Sequence, residues 1–204
     1  MRRPGRFIVL DGNEGCGKST QSRLLHERLV AQGSEAILVR DPGTTAIGER
    51  IRAILLDSES REMAMRCEML LYMAARAQLM EQLIVPALTA GKTVICDRFV
   101  SSTLAYQLGG DGLTAAEIRA VADVAIKGRW PDLTVILDMP HDASMARVQR
   151  ARDRIEQRPL EYHEQVRKNY LAQVRESPEK YRLVSAQGTI EEVGERVWSI
   201  VAAS

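Results

Sequence analysis

The sequence predicts an α/β fold in which a parallel sheet has helices on both of its faces. Five short apolar runs are rich in β-branched residues and lack the polar alternation of a half-exposed strand. Such runs are typical of strands that are covered on both faces. Longer stretches with helical periodicity separate them, and this alternation of strand and helix favours a parallel sheet. The 204 residues fit a single domain, 1–204.

The predicted elements follow one another along the chain in a regular order. The strands are "RFIVLD" (6–11), "EAILVR" (35–40), "TVICD" (93–97), "LTVILD" (133–138) and "YRLVS" (181–185). The helices are predicted over 18–32, 47–57, 62–90, 114–127, 141–151, 157–176 and 189–202. Ligands of such sheets bind beyond the carboxyl ends of the strands. The chemistry is therefore expected just after Asp11, Arg40, Asp97 and Asp138.

Composition excludes several classes of protein. The net charge of +1 provides no basic excess for a nucleic-acid partner. The three cysteines are scattered and have no CxxC spacing, which argues against a disulfide framework or a zinc site. The apolar run "FIVL" is too short for a signal peptide, and no stretch approaches the length of a membrane span. We expect a cytoplasmic protein with no membrane partner.

The strongest motif is "GNEGCGKS", which matches G-x-x-x-x-G-K-[ST] between a predicted strand and a predicted helix. Its glycines let backbone N–H groups turn inward around an anion, and the helix N-terminus adds positive potential. Lys18 can reach the β- and γ-phosphates, and the Ser19 hydroxyl can bind magnesium. The predicted ATP-binding residues of this loop are Gly12, Asn13, Glu14, Gly15, Cys16, Gly17, Lys18, Ser19 and Thr20.

The phosphate loop alone leaves GTPases, ATPase switches and small-molecule kinases open. No NKxD-like guanine signature is present, which weakens the GTPase reading. Arginines instead stand at strand ends, where a second phosphorylated substrate would bind. They are Arg40, Arg98 and a cluster at Arg150, Arg152 and Arg154. For the cluster taken alone, a solvated basic helix face is an equal alternative.

With these motifs in place, the chain resembles the bacterial-type thymidylate (dTMP) kinases, which are P-loop nucleoside monophosphate kinases. The resemblance runs nearly end to end and includes "RDPGTTAIGERIR", "LLYMAARAQLM", "DRFVSSTLAYQ" and "DRIEQ". It implies a three-layer fold with a five-stranded parallel sheet, a short arginine-rich lid at about 147–156, magnesium and a homodimer. The implied reaction is in-line transfer of the ATP γ-phosphoryl group to dTMP, which gives dTDP.

The resemblance also implies roles around the reacting phosphates. Lys18 is a catalytic residue that binds ATP, Ser19 binds the magnesium, and Asp97 helps to order the magnesium through water. Glu14 lies near the sugar 3′-hydroxyl and the metal. Arg40 and Arg98 hold the dTMP phosphate, and Arg98 is catalytic as well.

The remaining implied roles belong to the acceptor nucleoside. Tyr72 stacks on thymine, and Arg76, one helical turn later, hydrogen-bonds the base. Ser102 and Gln107 line the base pocket. Tyr106 crowds the sugar 2′ position and so favours deoxyribose.

The lid carries the last implied roles. Arg147 lies on the adenine of ATP, and Asp153 and Glu156 help to hold the lid closed. The catalytic lid residue is among Arg150, Arg152 and Arg154. Position 15 is glycine, whereas one branch of the family carries its catalytic arginine there, so a lid arginine is expected to do that work.

The sequence departs from the usual family pattern in three places. Asp11 replaces a common glutamate, and Asp41 and Thr44 stand in the segment that is usually "EPGG". Thr44 in place of glycine puts the backbone geometry of that loop in question. Two alternatives stay open: a kinase for another monophosphate such as dUMP, AMP or CMP, and a nucleotide-dependent switch protein.

Overall fold

The fold is built on a sheet of five parallel strands, as the sequence predicts. It was obtained as a computed structural model that describes residues 5–148 and 153–204. The strands are β1 (Phe7–Gly12), β2 (Ala36–Arg40), β3 (Thr93–Asp97), β4 (Leu133–Asp138) and β5 (Tyr181–Ser185). Their order across the sheet is β2-β3-β1-β4-β5, and every neighbouring pair is parallel.

The α-helices of the described residues cover both faces of the sheet. They are α1 (Lys18–Ala31), α2 (Ala46–Leu56), α3 (Met65–Leu79), α4 (Val85–Thr89), α5 (Val100–Tyr106), α6 (Ala115–Ile126), α7 (His141–Met145), α8 (Leu160–Glu176) and α9 (Ile190–Ala202). Within this described part of the chain, no helix is both long and apolar enough to cross a bilayer.

Two helix predictions are corrected by the structure, and one further helix was missed. The long helix predicted over 62–90 begins at Met65 and is interrupted by a π-helical segment, Met80–Ile84, between α3 and α4. The helix predicted over 141–151 ends at Met145, followed by a turn, and its residues from 149 lie outside the described part. Helix α5 was not predicted at all. Six of its seven residues are buried, so it lacks the polar face that makes a helix visible in a sequence.

The core has a layer on each side of the sheet because successive residues of a strand point to opposite faces. In β1, Phe7 and Val9 pack with α3 and α6, whereas Ile8 and Leu10 pack with α1 and α9. All four side chains are fully buried. The central strand is therefore held from both faces, which fixes the loop that follows it.

The register brings the predicted functional strand ends to one edge of the sheet. Asp97 at the end of β3 lies opposite Arg40 on β2 and Leu10 on β1. Gly12 at the end of β1 lies opposite Leu137 on β4. The loop after β1 thus opens between the strand ends that carry Asp97 and Asp138.

Candidate active site

The loop after β1 forms a concave turn of backbone at the N-terminus of α1. Gly15 and Gly17 have φ values of +69° and +93°, which a side chain would strain. A Cβ at position 15 would also lie 2.1 Å from the carbonyl oxygen of Ser144 on α7. This close approach gives a steric reason for glycine at position 15. The loop forms one wall of an open cavity of about 970 Å³, named here the loop cavity.

Lys18 is folded back over the loop. Its side chain is buried, and its Nζ donates to the carbonyl oxygen of Asn13 at 2.5 Å and lies 3.7 Å from the Cys16 Sγ atom. Burial raises the pKa of the Cys16 thiol despite the neighbouring lysine, so the thiol stays protonated near neutral pH. Cys16 is therefore a small packing residue, and Lys18 provides the positive charge of the loop.

Ser19 and Asp97 come together at the opening of the loop. The Ser19 hydroxyl donates to the Asp97 carboxylate at 2.5 Å, and both residues line the loop cavity. A hydroxyl and a carboxylate at this position are oxygen ligands, which hard divalent cations prefer. The pair predicted to hold magnesium is therefore assembled and chemically suited to it.

Among the described residues of the site, Arg98 is a cation with several hydrogen bonds. Its backbone adopts a φ of +69°, a strained conformation for a residue other than glycine. The guanidinium donates to Glu14 at 2.6 Å, to the Gly12 carbonyl oxygen at 3.1 Å and to the Ser102 hydroxyl at 3.1 Å. Burial alone would lower the pKa of Arg98, but the charge of Glu14 and the neighbouring tyrosines raise it well above its ordinary value. Arg98 is a fixed positive charge at the end of β3.

Glu14 is the carboxylate that faces Arg98 across the loop. Its burial opposes ionisation, but attraction from Arg98 and Lys18, with a hydrogen bond from Tyr106 at 3.1 Å, lowers its pKa to about 2. Glu14 is consequently ionised at any physiological pH. It links the phosphate loop to the strand-end arginine and to the tyrosine on α5.

Asp11 lies beneath Glu14 and Arg98 and holds the surrounding helices in place through hydrogen bonds. It is fully buried, and its Oδ1 atom accepts hydrogen bonds from Tyr170 and Ser102 at 2.7 Å each. Its Oδ2 atom accepts from Ser101 at 2.5 Å. The aspartate that departs from the usual glutamate thus ties β1 to α5 and α8.

A second, smaller cavity of about 70 Å³, named here the inner cavity, lies behind the loop cavity. The predicted acceptor residues that line it are Glu14, Tyr72, Arg76, Arg98, Ser102, Tyr106 and Gln107. Arg76 is almost completely buried and donates to Asp41 at 2.5 Å, to Thr103 at 3.1 Å and to the Phe99 carbonyl oxygen at 3.1 Å. These bonds hold its guanidinium plane still against the cavity. Asp41, the second departure, is therefore the buried counter-ion of Arg76.

Arg40 lies in the loop cavity and pairs with Glu49 of α2 at 2.8 Å. Thr44 adopts a φ of +65°, so the loop keeps a left-handed residue where the family usually has glycine. Its hydroxyl accepts from the Arg40 N–H at 2.8 Å, and its own N–H donates to Glu49 at 2.7 Å. These bonds compensate for the backbone strain and preserve the turn.

Arg52 is a site residue that the sequence reasoning missed. It is half-buried on α2 and lines both cavities, and its Nη1 atom donates to the Pro42 carbonyl oxygen at 3.2 Å. Burial lowers its pKa, and repulsion from Arg40 and Arg98 lowers it further. The sequence feature that could have identified Arg52 is its position one helical turn after Glu49, on the helix that follows β2.

The lid residues fall into two groups. Arg147 lines the loop cavity and donates to the Ala186 carbonyl oxygen at 3.2 Å. Arg154 lines neither cavity and instead forms a buried ion pair with Glu68 at 2.5 Å. Arg150 and Arg152 lie outside the described residues. Glu156 lines the loop cavity and Asp153 the inner cavity, at the two ends of one short turn.

Most of the predicted loop residues line the loop cavity. Those that do so are Glu14, Gly15, Cys16, Gly17, Lys18, Ser19 and Thr20, whereas Gly12 and Asn13 lie behind it. The far wall comes from the start of α9 and the turn before it, which the sequence reasoning did not identify. It consists of Gly188, Thr189, Ile190 and Val193.

Comparison with known proteins agrees with this geometry. The family model described as "Thymidylate kinase" matches residues 10–197. Thymidylate kinase from Synechococcus sp. (strain JA-2-3B'a(2-13)) is 44% identical over 96% of this chain and 93% of its own length. Thymidylate kinase from Alcanivorax borkumensis is 43% identical over 97% of this chain and 96% of its own length.

A solved structure has the same fold. The crystal structure of thymidylate kinase from Ehrlichia chaffeensis superposes with a TM-score of 0.82 at 28% identity. The match covers 98% of this chain and all of that one. With a family model that spans most of the sequence and relatives that align over nearly their whole length, the chain belongs to the thymidylate kinase family.

Proposed function

We propose that this protein transfers the γ-phosphoryl group of ATP to dTMP and releases ADP and dTDP. The observation that carries the proposal is the junction of the two cavities. Glu14, Arg52 and Arg98 line both of them. A donor phosphate in the loop cavity and an acceptor phosphate at the mouth of the inner cavity would meet there, between two arginines.

The donor side is supported by the turn that ends in Lys18 and Ser19 at the start of α1. Glycine-rich backbone at a helix N-terminus binds phosphate through its N–H groups and the helix dipole. Arg147 and the turn before α9 border the same cavity and would flank the adenine.

Magnesium is part of the proposal, with Ser19 and Asp97 as the residues that would hold it. When bound, the metal would neutralise charge on the transferred phosphoryl group. The protein residues contribute by position: Lys18 and Arg98 present fixed positive charges to the reacting oxygens. No covalent intermediate is needed, because positioning and charge stabilisation provide most of the catalysis in phosphoryl transfer.

The acceptor side is supported by the shape and polarity of the inner cavity. The cavity is small and is bordered by aromatic and polar side chains, as expected for a site that takes one base. Tyr72 can stack on the ring, and Arg76 can donate a hydrogen bond to a base carbonyl. Tyr106 donates a hydrogen bond to Glu14 and lines the cavity, and it is proposed to crowd a 2′-hydroxyl. Ser102 and Gln107 complete the wall.

Lid closure is expected to exclude water, since an open site would hydrolyse ATP. The catalytic lid arginine is proposed to be one of Arg150, Arg152 and Arg154, of which Arg154 would have to leave its buried ion pair with Glu68 to reach the phosphates. Each is tested by a single substitution to alanine. The catalytic residue is the one whose loss lowers kcat by orders of magnitude while KM for both substrates changes little.

A homodimer in the cytoplasm completes the proposal. Cys16, Cys67 and Cys96 are all unpaired, which suits a reducing compartment. Sedimentation equilibrium would measure the mass of the assembly, and a purely monomeric protein at micromolar concentration would contradict the dimer.

The test of function is ADP release by the purified protein with ATP and magnesium, against dTMP, dUMP, dCMP, AMP, CMP, GMP and no acceptor. Strong preference for dTMP with little release in the absence of acceptor is the expected result. Preference for another monophosphate would keep the kinase and overturn the assignment of the inner cavity. ADP release that needs no monophosphate would favour a nucleotide-dependent switch.

A further inference from the structure

We propose that Glu68 is a positioning residue that decides which base the inner cavity accepts and anchors the end of the lid. The inference rests on the proposed function, because it concerns the same acceptor. Glu68 lines neither cavity, so it acts through the residues that it holds.

Glu68 is a fully buried carboxylate on α3, one helical turn before Tyr72. Its Oε1 atom accepts a hydrogen bond from the Gln107 Nε2 atom at 2.8 Å. Its Oε2 atom accepts from the Nη2 atoms of Arg154 at 2.5 Å and Arg158 at 2.7 Å. One carboxylate therefore joins the wall of the inner cavity to the C-terminal end of the lid, at Arg154, and to Arg158 just beyond it.

The bond to Gln107 fixes the direction of its amide. An ionised carboxylate can only accept hydrogen bonds, so Gln107 must turn its NH2 group toward Glu68. Its carbonyl oxygen is then the atom that remains for a ligand. Gln107 is itself buried, so an amide in the opposite orientation would leave two acceptors facing each other.

This direction gives the cavity a defined polarity. Arg76 offers a donor and Gln107 an acceptor in the same cavity. Thymine presents a carbonyl next to an N–H group, which matches a donor beside an acceptor. Cytosine presents an amino group, which is a donor, next to a ring nitrogen without a hydrogen, which is an acceptor. Neither group would match its partner in the cavity. A site built to pair with specific polar groups rejects the mismatched base strongly, because its own buried groups stay unpaired.

The bonds to the arginines fasten the segment that borders both cavities. Arg154 also donates to the Leu55 carbonyl oxygen at 3.0 Å, which ties the segment to the end of α2. Its neighbours Asp153 and Ile155 line the inner cavity, and Glu156 lines the loop cavity. Loss of the Glu68 charge should therefore loosen the end of the lid. It should also leave the side-chain amide of Gln107 free to take either orientation.

The experiment compares Glu68→Gln with the wild-type enzyme on dTMP and dCMP. Glutamine has the same shape but can donate as well as accept, so it no longer dictates the direction of Gln107. We expect the ratio of kcat/KM for dTMP to that for dCMP to fall by about tenfold or more. We also expect ADP release without an acceptor to rise. A variant that loses activity on both acceptors in proportion would overturn the proposal.

Arg158→Met is the matched control. It removes one bond to Glu68 but leaves the bond between Glu68 and Gln107, so the ratio of the two acceptors should stay unchanged. The exchange variant Glu68→Gln/Gln107→Glu returns to position 107 a group that can only accept. It should recover the preference for dTMP, and a folded exchange variant without that preference would contradict the proposal.

A measurement on the wild-type protein needs no variant to fold. The side-chain amide protons of Gln107 should exchange slowly with solvent both in the free protein and in the dTMP complex. Exchange as fast as that of exposed glutamines would overturn the assignment. If the wild-type protein phosphorylates dTMP but these tests fail, only the role of Glu68 is rejected. If the wild-type protein turns over no monophosphate, the proposed function itself is rejected.

Discussion

Removal of the Arg52 charge should weaken acceptor binding while it leaves the fold intact. In Arg52→Met the side chain keeps much of its apolar stem but loses its charge-assisted contacts. One such contact to a phosphate contributes about 1.5–3 kcal/mol. At about 1.4 kcal/mol for each factor of ten, KM for dTMP should rise about 10- to 100-fold. KM for ATP should change much less.

The stability of the same variant follows from the contacts of Arg52 in the free protein. The substitution loses the charge-assisted hydrogen bond to the Pro42 carbonyl oxygen, which at 3.2 Å is worth about 1.5 kcal/mol, the low end for a charged donor. It also removes a cation that burial and the charges of Arg40 and Arg98 disfavour. These contributions oppose each other, so the free energy of unfolding should change by about 1 kcal/mol or less.

The assays are ADP release at saturating ATP with varied dTMP, and urea unfolding of the free protein. Arg50→Met is the matched control, because Arg50 is exposed on the same helix and lines neither cavity. It should change neither quantity. An unchanged KM for dTMP in Arg52→Met would refute the acceptor role, and a loss of about 3 kcal/mol or more in unfolding free energy would make Arg52 a structural residue.

Three further predictions concern Arg98, two glycines of the phosphate loop, and the buried His163 on α8. Arg98→Ala leaves its buried carboxylate partners without their counter-ion, so it should cost about 3–5 kcal/mol in urea unfolding and damage the use of dTMP more than the binding of ATP. Equal damage to both substrates would count against an acceptor role. Gly15→Ala places a Cβ 2.1 Å from the Ser144 carbonyl oxygen, whereas Gly17→Ala meets no atom within 4 Å. Both variants carry a backbone strain of about 1 kcal/mol, which lowers the melting temperature of each. Gly15→Ala should lower it further because of the steric clash, and equal decreases in the two variants would contradict the steric account. Burial and the neighbouring imidazole lower the pKa of His163 below its unfolded value of about 6.5, so unfolding binds protons and stability should fall as pH drops below that value. His163→Asn should flatten this part of the pH profile, which guanidinium unfolding at several pH values would measure.

The fold was predictable where an element exposes one face or buries both in a recognisable way. The fully buried β1 and the periodic α9 are of these kinds, and both were found within about two residues of their ends. Helix α5 was missed because polar Ser101 and Thr103 are as buried as Leu104, which removes the contrast that periodicity requires. The π-helical segment Met80–Ile84 has no signature in residue type, so the sequence does not separate it from the α-helices on either side.

The site was predictable where one motif supplies both the residue and its environment, as in the phosphate loop. The site was less predictable where residues from distant segments of the chain come together. Arg52 and the turn at Gly188 enter the loop cavity only because α2 and β5 pack at the same edge as β1. Arg154 carries the same charge as Arg147, yet a buried partner on α3 draws it away from both cavities. Glu68, that partner, has no motif of its own.

The bond between Arg98 and Glu14 means that an arriving phosphate joins a cation that already has an anion beside it. Glu14 is tethered to the loop, so its effective concentration at Arg98 far exceeds that of any free anion in solution. A small anion such as inorganic phosphate must compete with this carboxylate through charge alone. A nucleotide brings further binding energy from its base and sugar, and only such a ligand can share or displace the carboxylate at modest concentration. If Arg98 holds the acceptor phosphate as proposed, this internal ion pair would favour a phosphate that is attached to the right nucleoside over free inorganic phosphate.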